Sequence, residues 1–151
     1  MTQFMGTFMG RLDAKGRLSI PADFRDLLRP APGLPSLVLR PSHKYACIEG
    51  WAWADFEELA GPMQRLDVFS DDEDDMGYAL YADASPCAPD KDGRVILSEA
   101  LALHAELADS VTFVGLRRKF EIWEPTAYRA HRAAALERAK SRKISLPGAA
   151  P

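Results

Sequence analysis

Residues 12–21, LDAKGRLSIP, set an acid, a lysine, a glycine and an arginine between two short apolar alternations, and much the same string returns at 89–98 as PDKDGRVILS. Glycine at 16 and 93 supplies the positive φ of a tight turn, and Asp13 or Asp90 can accept backbone N–H groups two residues further on. Arg17 and Arg94 then open the outgoing strands, with Lys15 in the first turn and Lys91 in the second. Asp13 and Asp90 are 77 positions apart. Downstream, SLVLRPSHKYACIEGW (36–51) resembles SVTFVGLRRKFEIWEP (110–125) at a spacing of 74. The chain is therefore a tandem repeat of one supersecondary plan.

Each half reads in the same order. MGRL and RLSI flank the first turn as short strands, and Pro21 starts a helix in ADFRDLL, its fixed φ and missing N–H suiting a first helical position. In the second half Ser98 stands in that place and can cap EALALHAEL by accepting a backbone N–H. Strand pairs follow, LVL with YACIE and VTFV with FEIW, their alternation placing Val111 and Phe113, or Phe120 and Ile122, on one face. Helices close the halves at WADFEELAG and TAYRAHRAAALERAKSRK. Units of roughly 60–70 residues with two-stranded hairpins bury too little surface to stand alone. The expected fold is thus α+β: two pseudo-twofold-related halves (6–60 and 87–140) with interleaved hairpins in one compact domain. A connector at 61–86 carries a helix near DMGYALYADA, and a flexible tail follows from 141 to 151.

The chain has 151 residues, 47% of them hydrophobic, and a formal net charge of −3, enough apolar content for a core and too acidic to coat nucleic acid indiscriminately. Charge is unevenly spread. Residues 71–75 are DDEDD, whereas 126–143 carry four Arg and two Lys against one Glu. No stretch approaches a membrane span, and the start of the chain lacks the pattern of a secretory signal, so a cytoplasmic protein with reduced Cys47 and Cys87 is expected.

The repeated cations admit two uses. Each arginine can pair with its own turn's aspartate, and a two-stranded ribbon can carry guanidinium groups into the major groove, where arginine grips O6 and N7 of guanine. The two can coexist. LDAKGRLSIPADFR, DKDGRVIL and VTFVGLRRKFEIWEP in this order resemble the MraZ family of bacterial transcriptional regulators, built from two AbrB-type swapped-hairpin modules, over most of residues 6–130. The resemblance implies a nucleoid-associated repressor of the division and cell wall gene cluster that binds G-rich direct repeats of double-stranded DNA and assembles into a ring-shaped homo-oligomer. Carried over by position, the DNA-reading residues are Lys15 and Arg17, with Arg94 as the second-half counterpart, and Lys91, one position before the match to Lys15, joins them as a candidate. Asp13, Gly16, Asp90 and Gly93 shape the turns.

This chain departs from the pattern at Ser98, at Asp92 opposite Lys15, and at DDEDD, where the resemblance leads to an arginine-bearing helix. The acidic run lacks the alternating ligands and glycine of a calcium loop and reads as a solvated loop. His43, Cys47, Cys87, His104 and His131 form no pair of ligand pairs, so neither metal nor other cofactor is expected. No nucleophile elbow, phosphate loop or dinucleotide fingerprint points to an enzyme or a small-molecule substrate. Arg129, Arg132, Arg138, Lys140, Arg142 and Lys143 can touch phosphates or simply complement the end of their helix. Trp51, Trp53 and Trp123 are expected to pack hairpins against helices, or else copies against one another. The competing function is an oligomeric interaction scaffold of the same fold that does not bind DNA, favoured by the acidic balance and the altered second turn.

Overall fold

The computed structural model describes residues 3–148. In chain order the elements are β1 (Phe4–Arg11), β2 (Arg17–Ser19), α1 (Ala22–Arg25), β3 (Leu37–Pro41), β4 (Ile48–Ala52), α2 (Trp53–Glu57), α3 (Ala60–Met63), α4 (Asp71–Leu80), β5 (Ser85–Cys87), β6 (Arg94–Ile96), α5 (Glu99–His104), β7 (Ser110–Arg117), β8 (Phe120–Trp123) and α6 (Pro125–Arg142). A six-stranded sheet runs β1-β7-β8-β4-β3-β5, and β2 and β6 form a separate ribbon. Every pairing is antiparallel.

The two arms of each Asp–Gly–Arg turn belong to different sheets. β1 crosses to the second half and pairs with β7 from Phe4↔Arg117 to Arg11↔Ser110, whereas β2 pairs with β6. Between β1 and β2 there is a bridge, Leu12↔Leu18, and the Asp13 N–H to Arg17 carbonyl bond of 3.0 Å. The turn is a corner between sheets rather than the tip of an ordinary hairpin.

The hairpins β3–β4 and β7–β8 lie side by side through β4 and β8, with Ile48 opposite Ile122 and Glu49 opposite Glu121. The expected alternation holds: Val111, Phe113, Phe120 and Ile122 join Leu37, Leu39 and Ile48 in one core drawn from both halves. Phe24 of α1 stacks on Phe120 with centroids 5.0 Å apart, and Phe4 meets both rings edge-on, a geometry that suits their quadrupoles. Trp51 and Trp123 occupy equivalent places, each donating its indole N–H to the glutamate two residues earlier, at 3.0 and 2.9 Å. These pairs are 72 positions apart. The hairpin loop of the first half is therefore two residues longer, which the spacing of 74 read from the strand starts does not reveal.

Glu49 and Glu121 are both 3% exposed and face each other across the seam, an arrangement that like charges disfavour. Lys119 Nζ bridges them at 3.1 and 3.4 Å, and Arg40 reaches Glu49 at 3.0 Å. Burial acts to raise the Glu49 pKa, but the Trp51 N–H, Lys119 and Arg40 outweigh it and hold the carboxyl below its ordinary value. For Lys119 burial acts downward and the two carboxylates prevail, so its pKa is raised. Arg40 also donates to the Ala79 carbonyl at 3.1 Å, tying down the end of α4.

Several local expectations change. DDEDD is not a loop: it forms the first turn of α4, where its carboxylates complement the positive helix end and the Ser70 hydroxyl accepts the Glu73 N–H at 3.1 Å. The helix of the connector therefore begins at Asp71 rather than near Asp75, and the connector ends in β5. WADFEELAG does not run through as one helix but breaks into α2 and α3. Pro21 is the N-cap of α1, one position before the helix, while Ser98 caps α5 as expected by accepting the Leu101 N–H at 3.2 Å. α6 continues to Arg142, into the segment expected to be a tail, and the last part of that tail, 149–151, lies outside the described residues. Cys47 is buried and Cys87 half-buried, both free thiols.

Candidate nucleic-acid interface

The ribbon β2–β6 determines which way the repeated cations point. Leu18 and Val95 turn inward, 0% and 4% exposed, and alternation sends the residues on either side of them outward. Arg17 lies opposite Ile96 and Arg94 opposite Ser19. Arg17 and Arg94 are thus diagonal neighbours on one outer face, with β-carbons about 7–8 Å apart. One strand comes from each half, so this face does not exist until the halves have combined.

Within the first turn Asp13 Oδ1 accepts the N–H of Lys15 at 2.9 Å and of Arg17 at 2.8 Å, and Oδ2 accepts Arg17 Nε at 2.6 Å. The Gly16 N–H donates to the Asp13 carbonyl at 3.0 Å, with φ +80° at the glycine. The second turn repeats this geometry: Asp90 Oδ1 accepts from Asp92 and Arg94 N–H at 2.8 and 3.0 Å, and Gly93 has φ +77°. Arg17's backbone N–H, then its side chain, holds the Asp13 carboxyl below its ordinary pKa, and the Arg94 backbone N–H does the same for Asp90. The arginine side chains stay 40% and 37% exposed while paired. Pairing with the turn's own acid therefore leaves both guanidinium groups partly open to solvent.

The second turn differs at two positions, with Lys91 where the first has Ala14 and Asp92 where it has Lys15. The Asp92 carboxylate takes Arg94 Nη2 at 3.0 Å, and the Arg94–Asp90 contact lengthens to 3.6 Å. Lys15 and Lys91 are both exposed, and among the described residues neither stands in an ion pair.

The turns also lock each other. Leu97 N–H donates to the Gly16 carbonyl at 2.7 Å, and Ile20 N–H to the Gly93 carbonyl at 2.9 Å. Arg25, a residue the sequence reading did not single out, donates Nε to the Ile20 carbonyl at 2.9 Å and lays its guanidinium over Gly93, where a β-carbon would sit only 2.5 Å from it. Gly93 is needed for its positive φ, and the guanidinium, at the end of a flexible side chain, occupies the space a side chain there would take. The equivalent helix position in the second half is Ala102, so Gly16 has no such cover. No local signal announces a contact between residues 25 and 93.

α6 lies elsewhere, against β7. His131 stacks on Trp123 at 4.4 Å, and Tyr128 meets Thr7 of β1 at 3.3 Å. Arg129 bonds Thr126 in its own first turn, Glu124 caps the helix start, and Lys140 and Arg142 fall in the last turn, where cations complement the dipole. Among the described residues no group of His, Cys, Asp and Glu could hold a metal ion, and no helix is long and apolar enough to cross a membrane.

Comparison with known proteins matches this double plan. The profile of a family described as "MraZ protein, putative antitoxin-like" fits the chain twice, over residues 3–78 and 80–145. The chain belongs to the MraZ family. A MraZ protein named as a transcriptional regulator in Gluconacetobacter diazotrophicus is 54% identical over 97% of this chain and 93% of its own length. One of the same name in Gluconobacter oxydans is 49% identical over 100% and 94%, and one in Azorhizobium caulinodans 39% identical over 97% and 92%. The two matched MraZ segments each contain one Asp–Gly–Arg turn and one Glu–x–Trp hairpin, the parts whose strands the structure pairs between the halves.

Proposed function

We propose that the chain is a sequence-specific DNA-binding transcriptional regulator, two swapped-hairpin modules whose shared ribbon reads the major groove. The observation that carries this is Arg17 and Arg94 as diagonal neighbours on the outer face of β2–β6, each with its direction set by carboxylates of its own turn. A ribbon of this width fits the major groove, and a guanidinium held by one edge keeps donors for guanine O6 and N7. Lys15 and Lys91 stand at the turn tips, suited to phosphates on either side. The relatives' shared name supports a role in transcription.

Magnitudes favour several copies acting together. A site bound at about 10 nM needs about 11 kcal/mol, whereas two arginine–guanine pairs discriminate by roughly 2–6 kcal/mol. A homo-oligomeric ring that meets G-rich direct repeats on one DNA face, spaced about one helical turn (roughly 10 base pairs), closes that gap through effective concentration. The proposed target is the promoter of the division and cell wall gene cluster, with repression as the outcome.

Gel shifts on that promoter test the reading. Arg17→Ala is expected to weaken specific binding about 100-fold or more, since every engaged protomer loses the contact, with particle mass unchanged. Failure of the parent protein to shift the DNA at low salt would transfer the case to the scaffold reading, which the acid-quenched second turn favours.

A further inference from the structure

The turn between α3 and α4 exposes two large apolar side chains at once: Phe69 is 98% exposed and Val68 70%. The turn is a built one. Ser70 donates both its N–H and its hydroxyl to the Asp67 carbonyl, at 2.9 and 2.7 Å, while the same hydroxyl caps α4. Its surroundings are mainly acidic, with Asp67 before the tip and the unbroken run 71–75 after it against Arg65 further back. The acids complement the start of α4, but that role gives no reason for a phenyl ring standing almost wholly in water beside them.

On another face, α6 and the outer strands enclose a crevice of about 350 Å³ lined by Thr7, Val114, Leu116, Tyr128, Arg132 and Leu136. Leu116 and Leu136 are 47% and 52% exposed, and Met5 and Met9 extend the apolar strip along β1 on the same side as Thr7. Residues 126–143 on and just beyond α6 hold six cations and one acid, the opposite of the tip.

We infer that the Val68–Phe69 tip of one protomer docks into the α6 crevice of a second copy, with Asp67 and the acids of α4 facing the cations of α6. The tip is not buried in its own protomer, and its rigid turn has little freedom to lose on binding. Because the two patches differ, the contact is head-to-tail, the kind that closes a ring when the rotation per copy divides a full turn. The acidic run and the basic helix, neither of which is part of the β2–β6 ribbon, thereby acquire a joint use. This inference rests on the proposal above that the chain self-assembles.

Complementation between two broken copies tests it. Phe69→Ser removes the tip and keeps the crevice; Leu136→Glu spoils the crevice and keeps the tip. Both residues are exposed, so far-UV circular dichroism and the thermal midpoint should match the parent for each. By sedimentation velocity each variant alone is expected to lose the parent's large species, its self-dissociation constant rising about 30-fold or more, as truncating an anchoring aromatic does. Mixed one to one, they are expected to recover a heterodimer that grows no further, and raised salt should weaken it. If Phe69→Ser assembles like the parent, or the mixture does not combine, the docking pair is overturned while self-assembly stands. If the parent itself is a monomer, the assembly proposal falls, and this inference with it.

Discussion

The turn at 13–17 and the turn at 90–94 share a backbone and differ in charge. In both, an aspartate gathers the N–H groups of the turn, a glycine takes the positive φ and an arginine leaves along the ribbon. In the first, the position before the glycine is Lys15, which adds a cation; in the second it is Asp92, which spends its charge on Arg94, with Lys91 one residue earlier where the first turn has Ala14. Geometry and electrostatics have thus been separated within one molecule. The turn's shape needs only Asp, Gly and backbone, so the other positions are free to set how strongly each tip attracts a polyanion. The hairpins make the same point: Glu49–Trp51 and Glu121–Trp123 are alike, but Arg40 serves Glu49 while Lys119 serves both carboxylates.

The largest effect is expected where the halves depend on a single shared group. Lys119→Met leaves two buried carboxylates facing each other and should cost about 3–5 kcal/mol in chemical denaturation. Its pH dependence should also change. In the parent, the depressed Glu49 pKa gives stability that is present above the ordinary carboxylate range and lost on acidification, and the raised Lys119 pKa gives stability kept until alkaline pH, so these two groups add no slope between about pH 5 and 9. In the variant one carboxyl pKa is raised instead, so stability should fall as pH rises through that window. A flat variant profile would show that the seam does not rely on Lys119.

A smaller effect separates the turns on DNA. Arg94→Ala should weaken specific binding by about 5- to 10-fold, well short of Arg17→Ala, because its guanidinium is already engaged by Asp92; equal losses in gel shifts would erase the proposed asymmetry. Asp92→Lys makes the second turn resemble the first, and is expected to tighten binding severalfold and steepen the salt dependence of affinity. Arg25→Ala uncovers Gly93 and should reduce specific binding to about the extent of Arg94→Ala, with Lys15-dependent nonspecific binding retained. Smallest is the helix cap: Ser98→Ala should lower stability by about 1 kcal/mol in thermal or urea unfolding, with DNA affinity preserved.

The turns were legible in the sequence because their bonds join residues at most four apart, and the same holds for the α5 cap and the alternating faces of β7 and β8. DDEDD was misread because like charges suggest solvation, whereas Ser70 just ahead of them is a helix start whose positive end accepts acids. The halves repeat, and that repetition pointed to interleaving without saying which strand joins which.

By itself the sequence determined two Asp–Gly–Arg turns, two hairpins with inward aromatic faces, and cations at the turn tips, since each follows from neighbouring residues. Only the tertiary structure decided that β1 joins β7 and β2 joins β6, that Arg17 and Arg94 share one face, and that Arg25 covers Gly93. Those outcomes are set by which surfaces can be buried together once both halves are present. A strand's own residues state which side is apolar, but the partner along its edge is chosen by the packing of the whole chain.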